Sequence, residues 1–226
     1  MKNQYFGDNK DLFTYDLIFQ IMRAGLTGHF TFIPMLTPDN DKHHGQKLNR
    51  DKARAGMKNK ELMTFLDTCV QKGRRNIEEM KGFFAIYEIE MTIYYSSDNY
   101  FSHQNRQEYF AQIDDKLLVN SLVFVDPDTG LEVRKPGDEH LLYSEAKSLY
   151  DRMDKSSILM LFQHFPRHPR QEYINMRAEE LREKISGDYP VCIDDNEAIF
   201  FFLTKDKSLE DSLITVIGEY TECYSE

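Results

Sequence analysis

Apolar residues fall into two kinds of run along this chain. Leu117-Leu118-Val119-Asn120-Ser121-Leu122-Val123-Phe124-Val125 and Ser157-Ile158-Leu159-Met160-Leu161-Phe162 are nearly unbroken. A strand packed on both faces needs such a run, because neither side of it meets water. Elsewhere apolar positions recur at helical spacing. Phe13, Leu17, Ile18, Ile21 and Met22 predict a helix over 12–24, with Asp11 placed to cap it and Gly25 and Gly28 to end it. Leu62, Phe65, Leu66, Cys69, Val70 and Ile77 predict a second helix over 58–81, with Gly73 as a point of interruption. Further helices are predicted over 103–112, 140–152 and 170–186, the last stopped by Gly187.

The remaining strands are predicted at 30–36, within 83–96, and at 198–203 and 213–217. Pro34 weakens the first, since proline donates nothing to a ladder. The last two are joined by a loop short enough for an antiparallel hairpin. The polar stretch 37–56 reads as a long loop, a kind that often carries function.

Buried strands alternating with helices imply a mostly parallel sheet covered on both faces. The expected fold is therefore α/β and Rossmann-like, with helices on both faces, a closing antiparallel hairpin and one domain over 1–226. A chain of 226 residues can build such a core without disulfides or metals. Ligands bind beyond the carboxyl ends of the strands in such sheets. Three clusters stand there: Thr37-Pro38-Asp39-Asn40-Asp41, Asp126-Pro127-Asp128-Thr129-Gly130, and Gln163-His164-Phe165-Pro166-Arg167.

Charge narrows the partners. A net charge of −10 disfavours loose binding to nucleic acid, which depends on neutralising phosphates. The basic clusters at 50–54, 72–75 and 167–170 leave a local groove open, or simply form solvated surface. Cys69, Cys192 and Cys223 are scattered, with no C-x-x-C, so neither a zinc site nor a disulfide framework is indicated, and a reducing, cytoplasmic setting is expected. The opening Met1-Lys2-Asn3-Gln4-Tyr5 lacks an apolar signal stretch. No segment approaches the roughly 18 apolar residues of a membrane span, so no membrane partner is expected.

Asp126 and Asp128 leave the buried strand together and Glu132 follows. Such carboxylates could bind Mg²⁺, or one could act as a general base. The plain alternative is a turn in which Pro127 fixes φ, Asp128 bonds its own backbone and Gly130 supplies φ > 0. His164 is a candidate base or phosphate contact, or a hydrogen-bonded structural residue. Arg167 and Arg170 could hold a phosphate or carboxylate bidentately. Tyr5-Phe6-Gly7-Asp8 could fold over the site as a flap, bringing Asp8 to it, or could simply pack. Asp39, Asp41, His43 and His44 are metal-ligand types on a loop, but adjacent histidines rarely form a site alone, and no metal site is assigned. The chain has neither a P-loop motif nor a nucleophile elbow.

Four blocks, Tyr5-Phe6-Gly7-Asp8, Met35-Leu36-Thr37-Pro38-Asp39, Val125 through Glu132 and Gln163 through Arg167, together resemble a family of bacterial proteins of unsettled activity. More distantly the layout is similar to Rossmann-like methyltransferases that use S-adenosylmethionine, and to the three-Cys-motif partner proteins. That resemblance implies that Asp126-Pro127 stands where adenine-N6 methyltransferases carry a D-P-P-Y type motif that holds the target amine. It also implies a sheet ended by a reversed hairpin. Two features depart from the pattern: no glycine follows the first strand until Gly45, and Asp128 replaces an aromatic residue.

Three functions follow. The first is a methyltransferase-like enzyme acting on nucleic acid, active or diverged, with Thr37, Asp39, Asp8, Glu132 and Arg167 as substrate or cofactor contacts. The second is a Mg²⁺-dependent nuclease or phosphodiesterase built on Asp126, Asp128 and Glu132 with His164. The third is a non-catalytic module gripping a nucleotide or a protein.

Overall fold

The computed structural model describes residues 1–40, 48–50, 55–94, 100–166, 168–195 and 198–225, with side chains through 222. Arg167, Asp41, His43 and His44 lie outside the described residues. A six-stranded sheet forms the centre, in the order β2-β1-β3-β6-β8-β7. Its strands are β1 (His29–Pro34), β2 (Met91–Ile93), β3 (Ser121–Asp126), β6 (Ile158–His164), β7 (Val191–Asp194) and β8 (Ala198–Thr204). β2, β1, β3 and β6 pair in parallel, and β8 runs antiparallel to both of its neighbours. β4 (Gly130–Leu131) and β5 (His140–Leu141) form a separate short pair. The architecture is α/β and Rossmann-like.

Both faces of the sheet are buried, as the unbroken apolar runs require. Phe30, Phe32, Phe124, Met160, Phe200 and Phe202 face α1 (Asn9–Arg23), α2 (Lys60–Gln71), α3 (Glu79–Ile86) and α7 (Lys207–Ser225). Ile33, Val123, Val125, Leu161, Ile199 and Phe201 face α4 (Arg106–Ala111), α5 (Tyr143–Arg152) and α6 (Arg170–Leu181).

Several elements differ from their sequence pattern. Residues 213–217 are not a strand but part of α7. Leu213, Ile217 and Tyr220 fall on one buried stripe of that helix, and Asp206 caps its start by accepting from Leu209 N at 2.9 Å. The hairpin partner of β8 is instead β7, four residues long. The predicted helix over 58–81 is two helices, and the second of them takes in residues 83–86 of the aromatic stretch expected to be strand. Asp8, not Asp11, caps α1, accepting from Lys10 N at 2.8 Å and Asp11 N at 3.0 Å. Gly187 does end the helical segment after α6, at φ +82°.

The topology fixes where a ligand can enter. From β1 the chain crosses by α2 and α3 to β2 on one side. It then returns through α4 to β3 on the other side of β1. The crossovers leave β1 and β3 on opposite faces, so their carboxyl ends open a crevice at the switch point, where open α/β sheets bind ligands.

Candidate functional site

The crevice holds a cavity of 230 Å³ whose lining includes Met1, Lys2, Asp8, Lys10, Asp11, Asp126, Asp128 and His164. Asp126 ends β3, where Pro34 of β1 pairs with it. Residues 122, 124 and 126 alternate onto the α1 side of the sheet, so the Asp126 carboxyl faces α1. Asp8, Asp11 and Tyr15 recur at i, i+3 and i+7 on that helix and present one face to it. The N-terminal segment lies across the crevice. The Met1 ammonium donates to Met35 O at 2.9 Å and sits 3.6 Å from Asp128 Oδ1, while Lys2 Nζ donates to Thr37 Oγ1 and lies 3.4 Å from Asp128 Oδ2.

The four carboxyl groups here differ in what already holds them. Asp8 caps α1, and Asp11 Oδ2 accepts from Gly7 N at 2.7 Å. Burial opposes ionisation of Asp128, but the Met1 ammonium and Lys2 outweigh it and bring its pKa below the ordinary value. Asp126 has neither a hydrogen-bond donor to its carboxyl nor an ion-pair partner among the described residues. Its side chain opens on the cavity with the rest of the residue half-buried. Burial first, then the charges of Asp128 and Asp8, push its pKa up to about 7, against the pull of the Met1 ammonium and Lys10. Burial and the Asp8 charge likewise drive Asp11 well above the carboxylate range.

Beneath them the Tyr15 hydroxyl is buried with no hydrogen-bond partner among the described residues. Burial, then Asp11 and Asp126, raises its pKa. At the crevice wall Lys10 Nζ lies 3.0 Å from His164 Nε2. Lys10, Asp11 and Tyr15 are absent from the sequence-based candidates. For Asp11 and Tyr15 the signal was the helical period of α1, which places them on the face of Asp8 turned to β3, whereas Lys10, two residues from Asp8, is off that period.

The strand-end clusters do meet. His164 N donates to Thr129 O at 3.0 Å, and the Gln163 carboxamide accepts from Leu131 N at 2.8 Å. Gly130, at φ +133°, cannot carry a side chain, because a Cβ would overlap that carboxamide. Thr37 joins through Lys2. The plain-turn reading is half right: Gly130 supplies the positive φ, but Asp128 bonds Lys2 rather than its own backbone.

Other candidates lie elsewhere. Asp39 is exposed and accepts from Gln4 N at 3.0 Å. Glu132 turns to α5, accepting from Tyr143 N at 3.0 Å. Arg170 pairs with Asp194 and stacks over Phe165.

Two implied ligands can be tested against this geometry. S-adenosylmethionine would need the backbone at the carboxyl end of β1. There Thr37 N donates to Met1 O at 2.9 Å and Leu36 O accepts from Phe101 N at 2.8 Å, with no glycine to allow close approach. The cavity, at 230 Å³, is below the about 300 Å³ at which pockets for drug-sized ligands begin. The described residues do not fit this cofactor. Nor do they gather three or more His, Cys, Asp or Glu side chains in a group able to hold a metal ion. No described helix is long and apolar enough to cross a membrane. No family model, curated protein or solved structure matches the chain.

Proposed function

We propose that this chain is a diverged methyltransferase-like protein whose crevice holds the exocyclic amine of a nucleobase against Asp126. The observation that carries this reading is the Asp126 carboxyl itself, placed at the switch point, open to the cavity and lacking a donor. Asp126 is half-buried and opens on the cavity, so an amine N–H that enters there meets an acceptor with no donor among the described residues. The β8 strand reversed between β6 and β7 supports the same kinship, since the resemblance implies a sheet ended by a reversed hairpin.

A carboxyl with a pKa of about 7 exchanges its proton near neutrality. In its ionised form it accepts a hydrogen bond from the amine and so fixes the base in the cavity. The cavity has room for one ring system, so a single base enters rather than a duplex, which would need the base drawn out of its stack. Lys2 and Lys10 line the cavity and place positive charge within it, which suits a phosphate attached to such a base.

Calorimetric titration with adenosine, cytidine, inosine and uridine tests this. Adenosine or cytidine should bind saturably at pH 8, and inosine and uridine, which replace the amine by a carbonyl, should bind at least about tenfold more weakly. Binding should weaken as pH falls through about 7, because protonated Asp126 is a weaker, uncharged acceptor and turns an O–H donor into the cavity. Asp126→Asn should remove the preference. Equal binding of inosine and adenosine, or an unchanged preference in Asp126→Asn, would sink the reading.

A further inference from the structure

A pocket of 580 Å³, larger than the crevice, lies on the outer side of α1, where it meets α7 and the start of α2. Its volume lies within the range of small-molecule sites. One wall is Asp16, only 4 % exposed. Asn59 Nδ2 donates to Asp16 Oδ1 at 2.8 Å, the Tyr220 hydroxyl to Oδ2 at 2.9 Å, and Gln20 Nε2 reaches Oδ1 at 3.5 Å. These donors tie three helices together and fix the direction of the carboxyl. None of them carries a charge, and no described residue forms an ion pair with Asp16.

A buried carboxylate held only by neutral donors remains electrostatically uncompensated, and charges buried in proteins are otherwise paired. Burial accordingly raises the Asp16 pKa despite the three hydrogen bonds. Phe19, Val216 and Tyr220 give the wall its apolar and aromatic part, and a second acid, Glu219, lines it together with the cations Arg23 and Lys58. The Phe19 ring already accepts a cation, with the Arg23 guanidinium 5.9 Å from its centroid. Flat aromatic walls and a fixed, uncompensated carboxylate complement an organic cation with a planar body.

We infer that this pocket is a second ligand site, which takes a small planar organic cation, an amidinium or arylammonium, with its charged nitrogen on Asp16 and its body between Phe19 and Tyr220. The site is separate from the crevice and does not depend on the function proposed there.

Titration of the full chain with benzamidinium, followed by amide NMR shifts, tests the assignment. Saturable shifts should centre on Asp16, Phe19 and Tyr220, and neutral benzamide should bind roughly tenfold more weakly or worse. Asp16→Asn should remove the preference for the cation. Because Asp16 also ties helices together, Val216→Trp provides a second variant: it fills the pocket without touching the carboxyl, and should abolish the shifts while the protein stays folded. Equal binding of benzamide, retention of the preference in Asp16→Asn, shifts centred elsewhere or no saturable binding would each overturn the inference.

Discussion

Two buried charge clusters lie on opposite faces of the sheet, and they are satisfied to different degrees. Under α4 and α5, Arg106 and Glu145 form a two-pronged pair, Nε to Oε1 at 2.5 Å and Nη2 to Oε2 at 3.0 Å. Arg106 also donates to His140 O at 2.8 Å, and Glu145 Oε2 accepts from Leu142 N at 2.9 Å, closing the first turn of α5. Under α1, the half-buried Asp126 carboxyl and the buried Tyr15 hydroxyl have no such partners among the described residues. Every charge of the first cluster has its partner inside the chain, whereas in the second Asp8, Asp11 and Asp128 are held and Asp126 is not. A fully paired cluster is a joint between elements. A cluster that leaves an acceptor open beside a cavity has capacity for one more donor.

The contrast can be broken by substitution. Glu145→Gln should be the most damaging change, because it strands the Arg106 cation, and removing one partner of a buried pair costs roughly 3–5 kcal/mol. Urea unfolding would measure it. Asp126→Asn should act in the opposite direction. An acid whose pKa is raised on folding contributes stability fully below its unfolded pKa, near 3.8, and that contribution is lost as pH rises through about 7. At pH 8 the amide should therefore stabilise by about 1–3 kcal/mol. That would raise Tm by about 2–4 °C per kcal/mol. The difference between the two proteins should grow between pH 4 and 7, and a flat difference would remove Asp126 from this role.

The smaller changes sharpen the same contrast. Tyr15→Phe removes a buried hydroxyl that has no partner, so it should stabilise by about 1 kcal/mol where most core changes destabilise. A loss of stability by calorimetry would mean that the hydroxyl is bonded in solution. Asp151→Asn breaks the exposed pair with Lys147, 2.8 Å apart on α5, and should cost under about 0.5 kcal/mol.

Much of this was legible in the chain, and the parts that were not have identifiable causes. The apolar runs before Asp126 and Gln163 announced strands buried on both faces, and strand ends then follow as the place for polar chemistry. The run Leu213-Ile214-Thr215-Val216-Ile217 misled because its β-branched residues favour strands locally. Burial of Leu213, Ile217 and Tyr220 on one helical stripe overrides that preference. Val191–Asp194 escaped notice because a four-residue half-buried strand has almost no pattern. Within the crevice, Asp126 was visible from its position after a buried run. The α1 residues opposite it were not, because helix-to-strand proximity is decided by tertiary packing. Glu132 looked equivalent to Asp128 in spacing, yet the turn sends it to cap α5.

The reversed strand has a consequence for synthesis. β6 and β7 never touch, since β8 lies between them although it follows both in the chain. While residues up to 194 have been made and 198–204 have not, β6 presents an open hydrogen-bonding edge, with Leu159, Met160, Leu161 and Phe162 along it. Such edges template pairing with other chains, and emerging chains meet that hazard at about 5–20 residues per second. The protein is therefore most prone to aggregate while it is being translated, in the brief window before its penultimate element arrives.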